Sequence, residues 1–178
     1  MHRSFVLTLT GPDRIGIVGT VTRVLLDHGG NVETSRMARL GGEFAILMLI
    51  SMPAEQFEHL HEGLEGLVAR GYKVTTTPTD HSYAEAHPGW LPYHIEVEGA
   101  DHEGIIHEVA HYLSERGINI ESVDTETISA AVSGVPLFTM TALVVVPPEQ
   151  SGAGWEAGLA EIAHRQNLEI KVAEAGRN

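Results

Sequence analysis

The chain has 178 residues, 43% of them hydrophobic and 20% charged, with 24 acidic against 11 basic side chains and a formal net charge of −13. That length suits one medium domain or two small ones, and an acid excess with no Lys/Arg cluster argues against nucleic acid or an anionic membrane as a direct partner. The absence of cysteine removes disulfides, thiolate metal sites and cysteine nucleophiles together.

In chain order, Phe5–Thr10 alternates with a period of two and reads as a strand, apolar on one face. Gly11–Gly16 is a turn. Ile17, Val18, Val21 and Leu25 then follow at helical spacing, and Gly29-Gly30 ends that helix. Strand patterns at Asn31–Leu40 and Glu43–Met52 are joined through Gly41-Gly42 as a hairpin. Pro53 is expected to open a second helix with the apolar stripe Phe57, Leu60, Leu64 and Leu67, and Tyr72, Val74 and Thr76 mark a closing strand.

The same order then recurs. Phe5–Thr34 matches Tyr93–Ser122 at a constant offset without a gap: Gly11, Asp13, Gly16 and Ile17 fall on Gly99, Asp101, Gly104 and Ile105, and Gly29, Asn31 and Glu33 fall on Gly117, Asn119 and Glu121. The second half continues with strands near Ile120–Ile128 and Pro136–Val146, a helix carrying Trp155, Leu159 and Ile162, and a strand at Leu168–Val172. Its hairpin is longer by the stretch Ser129–Gly134. Thr79–Pro92, with His87, Pro88, Gly89 and Pro92, lacks periodicity. The chain therefore divides into units at 1–78 and 93–178 with a linker at 79–92.

The fold class is α+β, two tandem ferredoxin-like βαββαβ units, each an antiparallel four-stranded sheet with two helices on one face. Phe44–Ile50 is apolar on both faces, and Ala142–Val146 nearly so. Two readings fit: a central strand whose helix-free face tolerates apolar surface, or a face that packs against another unit. No apolar run approaches the roughly 20 residues of a membrane span. Met1-His2-Arg3 opens onto a strand pattern rather than a leader, so a cytoplasmic protein is expected.

At Gly11-Pro12-Asp13-Arg14-Ile15-Gly16-Ile17-Val18 the chain resembles an ACT domain, a small-molecule regulatory module. The likeness continues through Asn31-Val32-Glu33 and recurs at Asp101, Gly104, Ile105, Asn119 and Ile120. The run from Asp13-Arg14 through Ser35-Arg36 to Gly42-Glu43-Phe44 is similar, more narrowly, to the glycine cleavage system transcriptional repressor family.

The resemblance implies a regulatory protein, not an enzyme, that binds a small amino acid such as glycine where the first loop and helix start meet the second strand. It would act through a DNA-binding transcription activator rather than on DNA, with ACT units paired in a homodimer or within one chain. The implied contacts are Asp13, Arg14, Ile15, Gly16, Ile17, Val18, Asn31 and Val32. In the second copy they are Asp101, Gly104, Ile105, Ile106, Asn119 and Ile120. No cofactor is implied.

Each contact has a structural alternative. Asp13 before a helix is an ordinary N-cap, Gly16 and Gly104 suit close helix–sheet packing, and Asn31 and Asn119 shape a turn. A ligand-independent scaffold, related to the regulatory domain of an enzyme such as a formyltetrahydrofolate deformylase, is the alternative for the whole chain. The second loop, Asp101-His102-Glu103-Gly104, lacks the Arg of the first.

His107-Glu108-Val109-Ala110-His111 spells H-E-x-x-H, the zinc-protease signature. Ile106, Val109 and Leu113 are expected to form the buried stripe, which puts the histidines on the solvent side, and the first copy has Gly19 and Arg23 there. Adventitious metal binding at the pair is therefore a better expectation than catalysis.

Overall fold

The computed structural model describes residues 2–79, 87–129, 136–152 and 154–176, which fall into two compact units on either side of 80–86. The linker residues 80–86, with Asp80 and His81, and the hairpin extension from residue 130 to 134 lie outside the described residues.

The first unit runs β1 (His2–Pro12), α1 (Ile17–Asp27), β2 (Asn31–Leu40), β3 (Glu43–Pro53), a 3-10 turn (Ala54–Gln56), α2 (Phe57–Val68) and β4 (Lys73–Thr79). The sheet order is β2-β3-β1-β4, with every neighbour antiparallel. Period-two alternation puts Phe5, Leu7 and Leu9 of β1 and Ile46, Met48, Ile50 and Met52 of β3 under the helices. Val21 and Leu25 of α1 and Leu60, Leu64 and Leu67 of α2 close that core.

The second unit runs β5 (Leu91–Ala100), α3 (Ile105–Glu115), β6 (Asn119–Ser129), β7 (Pro136–Val146), α4 (Trp155–Gln166) and β8 (Leu168–Glu174). Its order, β6-β7-β5-β8, repeats that of the first. Ile95, Val97, Val109, Leu113, Val144 and Leu159 occupy the corresponding core positions. Among the described residues no helix is long and apolar enough to cross a membrane.

Pro53 ends β3 rather than opening a helix. It lies opposite His2 with φ −57 and ψ 131, extended backbone, and α2 starts only after the 3-10 turn. Proline suits a strand end as well as a helix start, because neither position uses its missing N–H. The doubly apolar β3 is interior to its sheet, between β2 and β1, and on the helix-free face Leu47 stays 48% exposed.

Candidate functional site

The loop between β1 and α1 is shaped by its glycine. Gly16 takes φ 89 as the residue before α1, and Gly104 takes φ 94 before α3. A Cβ at either would meet open space, so neither glycine serves helix–sheet packing; both supply left-handed backbone that other residues adopt at a cost of roughly 1–2 kcal/mol. No side chain caps either helix. Asp13 is thus not an N-cap: its backbone N–H donates to Gly42 O (3.0 Å) and its carboxylate sits 3.8 Å from Arg39 Nε. That ties the loop to the β2–β3 hairpin, and Asp101 N–H repeats the tie by donating to Pro136 O (2.9 Å).

The remaining implied contacts divide by burial. Ile17 and Ile105 belong to the cores, Val18 packs against the first core and Ile120 against the second. Ile15 is fully exposed at the loop tip beside Arg14, and Val32 and Ile106 also face solvent, so Ile105 rather than Ile106 opens the buried stripe of the second unit's first helix. Asn31 and Asn119 begin β2 and β6, and the Asn119 amide donates to Glu121 Oε1 (3.1 Å).

Register separates these residues further. Asn31 pairs with Ser51, which pairs with Ser4, whereas Leu40 pairs with Glu43, which pairs with Pro12. Asn31 and Val32 therefore start at the far end of the sheet from Asp13 and Gly16, about 26 Å away at the rise of an extended strand. Within one unit no small ligand touches both groups. The predicted βαββαβ order already implies it, because a helical crossover makes β2 parallel to β1 and returns the chain toward the loop only at Arg39 and Leu40.

A cavity of about 270 Å³ adjoins the first loop, lined by Arg14, Ile15, Gly16 and Thr20 together with Arg70 and Tyr72. Tyr72 Oη donates to Pro12 O (3.0 Å), fixing the α2–β4 turn against the end of β1. Arg70 and Tyr72 were not legible as site residues, since nothing in the local pattern joins them to a loop near residue 14.

The H-E-x-x-H residues lie on the outer surface of α3. The His107 and His111 rings stack at 5.7 Å between centroids, and both side chains are exposed. Glu108 is bound by Arg165 and by the Gln166 amide of α4, and the Arg165 guanidinium holds its carboxyl below the ordinary glutamate range. A carboxylate so stabilised is a poor general base. No group of three metal-binding side chains occurs among the described residues.

With this geometry the comparisons agree. The ACT domain family model matches residues 3–71. The match lies within the first unit, and the second unit repeats that unit's strand order. Each unit has the antiparallel four-stranded, two-helix ferredoxin-like fold of ACT domains. A 46-residue stretch, 26% of this chain, is 52% identical to the glycine cleavage system transcriptional repressor of Escherichia coli K12. That stretch spans 24% of the repressor, about a quarter of its length.

Two solved structures are similar over essentially the whole chain. One is an unknown protein from Galdieria sulphuraria, 32% identical with a TM-score of 0.87, covering 99% of this chain and 100% of that one. The other was provisionally named as a glycine cleavage system transcriptional repressor. It is 21% identical with a TM-score of 0.69 and 99% coverage of both chains, a likeness in fold.

Proposed function

We propose that this chain is a cytoplasmic, non-catalytic regulator that binds a small amino acid, glycine foremost, and controls transcription by holding a DNA-binding activator. The short stretch shared with the repressor supports the transcriptional role. The net charge of −13 supports a protein rather than DNA as the surface it engages.

The observation that carries the reading is the split of the amino-acid groups. Asp13 with the loop amides stands at one end of the sheet, and Asn31 at the other. A carboxylate suited to an ammonium and an amide suited to either end of an amino acid would then have to come from different units, in the pairing that the ACT resemblance implies. Such a site couples ligand binding to the pairing of units, and a ligand that prefers the paired state shifts the activator-holding equilibrium. Asp101 and Asn119 offer the same two halves in the second unit.

The test is a thermal-shift screen of the twenty amino acids on the full chain, followed by calorimetry on Asp13→Ala. A true ligand at 100 times its dissociation constant adds about 2.7 kcal/mol of stability. Asp13→Ala is expected to weaken binding at least tenfold while leaving the chain folded. No shift with any amino acid, or unchanged affinity in the variant, would sink the assignment and favour the scaffold.

A further inference from the structure

The cavity beside the first loop lies on the β4 side of β1, opposite the edge where Asp13 meets Arg39 and β2. Its neutral donors are already committed: Tyr72 Oη to Pro12 O, and Thr20 Oγ1 to Gly16 O (3.0 Å). Its two cations are not. Among the described residues no carboxylate pairs with Arg14 or Arg70; the same holds for Arg3, Arg36, Lys73 and Arg116, but Arg14 and Arg70 come together on one cavity. In a chain with 24 acidic residues, one cavity flanked by two guanidinium groups and lined by no acid is a local positive field.

We propose that this cavity binds a small oxyanion, a carboxylate or a phosphate group, between Arg14 and Arg70. The planar guanidinium fork matches either group in a bidentate way, and two forks from different elements fix its position. A volume of about 270 Å³ admits a ligand of several heavy atoms. Ile15, fully exposed at the rim, is placed to cover a bound anion and keep water from the ion pairs.

The second unit argues for one such site per chain. Aligning β4 with β8 through their partners Leu9 and Val97 puts Gln166 at the position of Arg70, and the repeat puts His102 at that of Arg14. The His102 ring bonds to the carbonyls of Glu103 (3.1 Å) and Gln166 (3.3 Å), bridging the segments that correspond to those flanking the cavity in the first unit. The Gln166 side chain is spent on Glu108.

The test titrates the full chain calorimetrically with inorganic phosphate and with succinate at low ionic strength. One site per chain is expected, at least tenfold weaker in Arg70→Gln and in Arg14→Gln and unchanged in Arg3→Gln, with circular dichroism confirming that each variant folds. Tighter phosphate marks a phosphorylated ligand and tighter succinate a carboxylate; either supports the pocket. No saturable binding of either probe, or equal binding in Arg70→Gln, overturns it. Oxyanion binding that survives Asp13→Ala but not Arg70→Gln supports the pocket whatever the amino-acid screen shows. Amino-acid binding that persists while both probes fail removes the pocket and leaves the β2-side site standing.

Discussion

Asn167 turns the chain from α4 into β8 with φ 54, the one positive φ on a non-glycine among the described residues, and Gly71 does the same job in the first unit with φ 93. Asparagine tolerates this conformation better than most residues, so Asn167→Ala is expected to cost about 1 kcal/mol by urea denaturation, while Asn167→Gly costs less or nothing. Gly158 matters for a different reason. A Cβ there would lie 2.2 Å from Tyr112 Oη, and Tyr112 is held in place by its bond to Trp155 O and by Arg116, whose guanidinium lies 3.7 Å from the ring centroid. Gly158→Ala should destabilise by about 1–3 kcal/mol. In a Tyr112→Ala background the same change should cost much less, which a double-mutant cycle would reveal.

The elements were legible wherever one face is buried. β1, β3, α1 and α2 carry their cores at periods of two and 3.6, and β5, β7, α3 and α4 repeat them. The edge strands β2 and β6 are largely exposed on both faces, so glycine punctuation rather than hydrophobic pattern located them. The candidate site was less legible, because Asp13 meets Arg39, and Arg14 shares a cavity with Arg70, only through sheet register and helix return. Two ion pairs between or along elements give opposite pH signatures. Arg165 lowers Glu108 below its usual 4.5, so that contribution is complete above pH 4.5 and fades as pH falls through the folded value. Glu169, with Glu96 and Glu98 nearby, raises Lys171 above its usual 10.5, so its contribution is complete below pH 10.5 and fades as pH rises. Glu108→Gln should flatten the acid limb of a melting-temperature profile, and Lys171→Met the alkaline limb, each leaving the other limb unchanged.

At the scale of the molecule, two units share a topology and differ in what they expose. The proposed amino-acid site needs the loop end of one sheet and the strand-start end of another. Asp13→Ala and Asn31→Ala should therefore both weaken amino-acid affinity, although about 26 Å of sheet separates the two side chains within a unit. Calorimetry on each variant checks this, and normal affinity in either would break the proposed pairing. Mixing the two variants then distinguishes a site shared between chains, where binding recovers, from one made within a chain, where it does not.

The duplication also sets a folding problem, since β1 and β5 occupy the same position in sheets of the same order and each could be taken up by the other's sheet. Their outward faces discriminate. Glu96 and Glu98 of β5 stand where Thr8 and Thr10 stand on β1. In its own sheet Glu96 lies opposite Lys171, but in the first sheet it would lie between Leu47 and Thr75 and lose that cation. Conversely, β1 in the second sheet would leave Lys171 facing a threonine. The acidic stripe on β5 is not one signal, however: Glu98 lies opposite Glu169 in its own sheet and would lie opposite Lys73 in the first, so Glu96 alone favours the native placement of β5.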